Sequence, residues 1–176
     1  MKFYTADPHF DHANIINLCK RPFKNVIEMQ DTLVDNWNER VSDNDDVYML
    51  GDFCFGVKTF IEYIGRLNGT KHFIRGNHDA DAIKKVIQMK RSKGSIFDNV
   101  FFHGDIHEIK DSGRNIVLCH YPLREWNGAY KGAIHLHGHC HQNIGRSFRD
   151  GAYDVGVDGW DFKPVTIKDI LNSEIS

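Results

Sequence analysis

Apolar residues along this chain change rhythm halfway. In the first half, short apolar runs at 2–6, 47–50 and 72–74 alternate with segments of helical period. Val26, Met29, Leu33, Val34 and Trp37 recur at the three- and four-residue spacing of one helix face. Asn25 with Glu28 forms a capping-box pattern ahead of them, which predicts a helix over 26–40. Phe60, Ile61, Ile64 and Leu67 predict a second helix closed by Asn68-Gly69. Ile83, Val86 and Ile87 predict a third from 81 to about 91, stopped by Gly94. Residues 10–24 show no clean period. In the second half the apolar runs crowd together at 99–102, 106–110 and 115–119, then at 134–137 and 153–157. Asp111-Ser112-Gly113-Arg114 reads as a hairpin turn, and a last short helix is capped by Thr166 with Asp169. Strand–helix alternation followed by clustered strands predicts an α/β fold over one domain, 1–176. The expected form is a four-layer α-β-β-α sandwich of two mixed sheets with flanking helices.

Charge and cysteine usage narrow the setting. A formal net charge of −2 argues against a wholesale electrostatic grip on nucleic acid or an anionic membrane. Lys84, Lys85, Lys90, Arg91 and Lys93 could still form a local basic face, or a plain solvated one. Cys19, Cys54, Cys119 and Cys140 form no C-x-x-C pair and no small disulfide framework. The N-terminus lacks the apolar core of a signal peptide, and no run nears the ~20 residues of a membrane span. A cytoplasmic location is expected; oligomeric state is open.

The chemistry sits where apolar runs end. Asp7-Pro8-His9, Gly51-Asp52, Gly76-Asn77-His78-Asp79, Cys119-His120 and Gly138-His139-Cys140-His141 each follow such a run. Ligand sites of helix-flanked sheets gather beyond the carboxyl ends of strands. On an extended strand His139 and His141 would share a face; Cys140 would point away and pack, or serve as a ligand itself. Read alone, this histidine tract is equally a polar strand end. Mixed nitrogen and oxygen donors suit Mn, Fe, Zn or Ni better than Ca. Gly51, Gly76 and Gly138 are expected to let the backbone turn or approach closely.

Taken in order, these blocks resemble the calcineurin-like metallophosphoesterases, in particular the small single-domain prokaryotic and phage members. The resemblance runs from residue 7 to 141 and includes the 52-to-77 spacing. Tyr4-Thr5-Ala6-Asp7, Arg21-Pro22-Phe23 and the tail from Gly156-Val157-Asp158 to Pro164-Val165 share it. It implies two divalent or transition metal ions, Mn first among Mn, Fe, Zn and Ni. Asp7, His9 and His141 would hold one, Asn77, His120 and His139 the other, with Asp52 between them. It implies hydrolysis of a nucleotide-like phosphodiester or phosphomonoester by a hydroxide between the ions. His78 would assist the leaving group, and Asp79 either orients His78 or caps the next helix. His12 and Arg21 are candidate phosphate contacts or loop residues without such a task. His137 is a supporting or core histidine. Trp126, Tyr130 and Trp160 could stack on a base or cover the core. The alternatives are a small metal-dependent nuclease, with nucleic acid as partner, and a non-catalytic binding module on the same fold.

Overall fold

The structure, a computed structural model, describes residues 1–93, 97–144 and 150–173. β1 (Lys2–Thr5), β2 (Asp46–Leu50), β3 (Thr70–Ile74) and β4 (Val100–Phe102) form one sheet in that order, with every pair parallel. β5 (Ile106–Asp111), β6 (Arg114–Cys119), β7 (Ile134–His137) and β8 (Ala152–Asp154) form the second. There β5–β6 is antiparallel and the other pairs are parallel. The expected α/β sandwich of two sheets with flanking helices is thus present, its first sheet wholly parallel and its second mixed.

Strands of the first sheet are apolar on both faces because both are covered. Phe3, Val47, Met49 and Phe73 point to α2 (Val26–Arg40), α3 (Val57–Ile64) and α4 (Ala80–Lys93), where Leu33, Trp37, Phe60 and Val86 complete a core. Tyr4, Tyr48, Leu50 and Ile74 point the other way, onto Ile116, Leu118, Ile134 and Leu136 of the second sheet. α5 (Ile167–Asn172) adds Ile167 and Ile170 to this inter-sheet core. Beyond the second sheet lies a thinner cover, with Trp126 packed on Val117, Ala133 and Ala152.

The sheets are also stitched by backbone. Tyr4 and Val165 exchange N–H···O bonds of 2.7 and 2.9 Å. Ala6 accepts from Val157 at 3.0 Å and donates to Val155 at 3.1 Å.

Local signals explain most boundaries. Asn25 Oδ1 accepts from Glu28 N–H at 2.9 Å, but Glu28 reaches back to Lys24 N–H rather than to Asn25. Thr166 and Asp169 form the full reciprocal box. The hairpin turn places Ser112 and Gly113 at φ +50° and +78°, the twist a two-residue loop between antiparallel strands needs. Two expectations shift. α3 stops at Ile64 with Gly65 as its cap, and Leu67 is buried from a turn instead. Residues 10–24 hold a short helix, α1 (Asn14–Leu18), which buries only Ile15 and so leaves no period to read. Gly94 falls outside the described residues. Among those described, no helix is long and apolar enough to cross a membrane.

Candidate metal centre

Asp7 leaves the end of β1 and is fully buried. Its Oδ2 accepts from His139 N–H at 2.8 Å, and Oδ1 has no hydrogen-bond partner. His9 Nε2 lies 4.0 Å from that oxygen and 3.7 Å from Asp52 Oδ2. His9 is itself buried, with no partner on either ring nitrogen. Burial, then the neighbouring His141 and Arg21, push this imidazole down to about 2. Burial pushes the Asp7 carboxyl well up. Unsatisfied buried polar atoms of this kind are costly and rare. A cation held by Asp7, His9 and His141, whose ligand atoms lie within 4.8 Å of one another, would satisfy them.

Asp52, His120 and His139 form a second such group. His120 Nδ1 donates to Leu50 O at 2.8 Å, which leaves a lone pair on Nε2. That nitrogen faces Asn77 Oδ1 at 2.9 Å and Asp52 Oδ2 at 3.6 Å. Acceptors converging without a donor also ask for a cation. Asp52 stands between the groups, and its Oδ1 accepts from His78 N–H at 2.9 Å. The His78 ring is exposed, with Nε2 3.9 Å from Asp52 Oδ2.

The backbone here is unusual. Asp7, His9, Asp52, His139 and His141 have φ between +46° and +70°, the left-handed region that side chains other than glycine seldom adopt. β7 ends at His137, so His139 and His141 do not share a strand face; the expected alternation is wrong. They converge from a loop and enter different groups. A Cβ on Gly138 would overlap Asp7 Oδ2 and Ala6 Cβ, and one on Gly76 would overlap Asp52. The two loops therefore close on the carboxylates only with glycine there.

Two further expectations are corrected. Arg21 does not reach toward a substrate. Its side chain is wholly buried, pairs with Asp158 through Nε at 2.7 Å and Nη2 at 2.9 Å, and donates to Pro8 O and Asp7 O. Asp79 does not orient the His78 ring. Its carboxylate accepts backbone N–H groups of Asp52, Phe53 and Gly76 at 2.7–2.9 Å, bracing two loops, while its carbonyl starts α4. His12 is half-buried at the rim, 5.5 Å from the His9 ring.

Sequence reading missed Asp158 as a partner of the site. It accepts from His141 Nδ1 at 2.8 Å and so aims Nε2 inward. Burial opposes charge on His141, yet Asp158, Cys19 and Asp7 raise it to about 10. Cys19, not Cys140, joins a metal-competent group, with His141 and Asp158. The signal for Asp158 was the sequence tail around Gly156; Cys19 carried none. His137 is buried beside Gly138 O, and His135 is held by Val117 and Leu123. Trp126 is a core residue bonded to Ala133 O, and Trp160 bonds to Asp154 O. Tyr130 extends into solvent. Lys84 and Lys85 are solvated, and the side chains of Lys90, Arg91 and Lys93 lie outside the described residues.

Fold and site together define an α/β sandwich with His/Asp groups competent for metal at the ends of its strands. No family model matches the chain. Uncharacterized protein MJ1445 of Methanocaldococcus jannaschii is 34% identical over 173 residues, 94% of this chain and 86% of that protein. The chain belongs to the same family as MJ1445. The Gene 66 protein of Mycobacterium phage D29 is 27% identical over 192 residues, covering 97% of this chain and 95% of its own. The fold is shared with AQ665 of Aquifex aeolicus, a protein of unknown function: TM-score 0.71, 22% identity, 98% of each chain.

Proposed function

We propose that this protein is a metallophosphoesterase of the calcineurin-like kind, hydrolysing a nucleotide-like phosphate ester with two divalent cations. The observation that carries this reading is the pair of His/carboxylate groups meeting at Asp52, with buried Asp7 Oδ1 and both His9 nitrogens otherwise unsatisfied. Asp7, His9 and His141 would hold one ion, Asn77, His120 and His139 the other, and Asp52 would serve both. Such ions supply positive charge to the phosphoryl oxygens and acidify water near neutral pH.

The chain's own residues do the rest. Leu50 O and Asp158 fix the tautomers of His120 and His141 so that each Nε2 faces inward. Asp79 clamps the Asp52 and Asn77 loops at a fixed separation. The His78 ring is tethered by its own N–H to Asp52 yet open to solvent. In this reading it donates a proton to the departing oxygen of a bound ester, which its exposure and its 3.9 Å distance to Asp52 Oδ2 support.

Aryl phosphate mono- and diesters with manganese-loaded protein test the reading. Turnover is expected with wild type, and Asp52→Asn should lose both metal and activity. His78→Ala should keep its metal by elemental analysis while kcat falls about 10²–10⁴-fold. Loss of metal from His78→Ala would refute the division of roles, and absence of turnover from folded, loaded protein would refute the function.

A further inference from the structure

Two exposed aromatic rings flank the metal centre, one on each side of Asp52. Phe55 is 38% exposed and packs on histidines of the first side: 4.6 Å from His12, 4.8 Å from His78 and 6.1 Å from His9. Its neighbours Phe53 and Cys54 are buried, so the chain turns Phe55 out of the core just before Gly56. Tyr121 is 45% exposed and stands edge-on to the second side, 5.0 Å from His120 and 4.8 Å from His139. Asp52 Oδ2 joins the two histidine sets these rings pack on, 3.7 Å from His9 Nε2 and 3.6 Å from His120 Nε2.

A phosphoryl group held by ions in the two ligand groups would therefore have a partly exposed aromatic ring beside each group, one for each of two ester substituents. A monoester would use only one ring. Simple alkyl groups gain little from a ring face, whereas nucleobases stack on aromatic side chains regardless of sequence. Long strands are gripped through many Lys and Arg contacts to successive phosphates, and a formal net charge of −2 does not favour such a grip over the whole surface. We infer that the site takes a short phosphodiester joining two nucleosides, one base against Phe55 and the other against Tyr121. This rests on the phosphoesterase reading above and names its substrate class.

Calorimetric titration of manganese-loaded protein with phosphorothioate diesters tests it: dimethyl, methyl thymidylyl and dithymidylyl. Kd is expected to fall about tenfold with each added base. Phe55→Ala removes one step and Tyr121→Ala the other. Phe55→Leu and Tyr121→Leu, which keep apolar bulk, should lose the same steps and decide the matter where an alanine variant does not fold. Equal Kd across the series, no measurable binding, or steps that survive the substitutions would overturn the inference. Graded binding without hydrolysis of any phosphate ester would sink the phosphoesterase reading and leave the base-stacking assignment standing.

Discussion

Arg21 and Asp158 show how a residue can govern a site it never enters. Arg21 spends its guanidinium on Asp158 and on the carbonyls of Asp7 and Pro8, the loop that carries two candidate ligands. Asp158 passes that constraint to His141. Partners outside the ligand shell are typically worth 10–100-fold in metal affinity. Asp158→Asn should therefore weaken manganese binding by about that factor in a calorimetric titration. It should also destabilise the fold, since Arg21 would keep a buried charge without its counter-ion, a loss of roughly 3–5 kcal/mol. Unchanged affinity would reduce Asp158 to a structural partner of Arg21 alone. At this scale the sequence was legible for polar groups that closely follow an apolar strand run, as Asp7, Asp52 and His120 do. Asp158 and Phe55 lie further past the ends of β8 and β2. Their relation to the site depends on contacts across more than a hundred residues for the pair Arg21–Asp158, and on a turn after Cys54 for Phe55.

Elements were legible where burial imposes a period. The 3.6-residue spacing in α2 and the paired cap at α5 could be seen directly, because one face meets a core and the first turn needs partners for its N–H groups. Asn25 supplies such a partner on an exposed helix start, so Asn25→Ala should cost about 1 kcal/mol in urea unfolding, with metal content unchanged. α1 escaped because one buried residue makes no stripe. The course of the chain beyond β7 escaped for another reason, although the strand itself ends at His137 as its apolar run does. Alternating histidines mimic a strand pattern, yet left-handed torsions at His139 and His141 bend the backbone away from one. A periodic reading has no way to encode that bend.

Across the whole molecule, buried and half-buried neutral histidines couple stability to pH. His135 donates from Nδ1 to Val117 O and accepts Leu123 N–H on Nε2, so a second proton would break the latter bond. Burial lowers its pKa to about 4, and burial with His107 and His72 nearby lowers His103 to about 4 as well. Below their unfolded value near 6.5 the unfolded chain binds more protons than the folded one. Their contribution is thus complete above about pH 6.5 and is lost as pH falls toward 4. For His135 it is on the order of 3 kcal/mol. The urea midpoint should fall over that window, and fall less in a His135→Gln variant. An equal fall in both would assign the effect to other groups.

The backbone stitch between Ala6 and residues 155–157, with Tyr4 to Val165 beside it, has a consequence during synthesis. All four strands of the parallel sheet have been made once Phe102 has emerged, and Asp52 and Asn77 follow the carboxyl ends of its two central strands. Asp7 and His9, made first, must wait for His141 and then for Asp158 before their group is closed. A chain cut short before that point would hold Asp52 and Asn77 but leave two early ligands, Asp7 and His9, without their last partners.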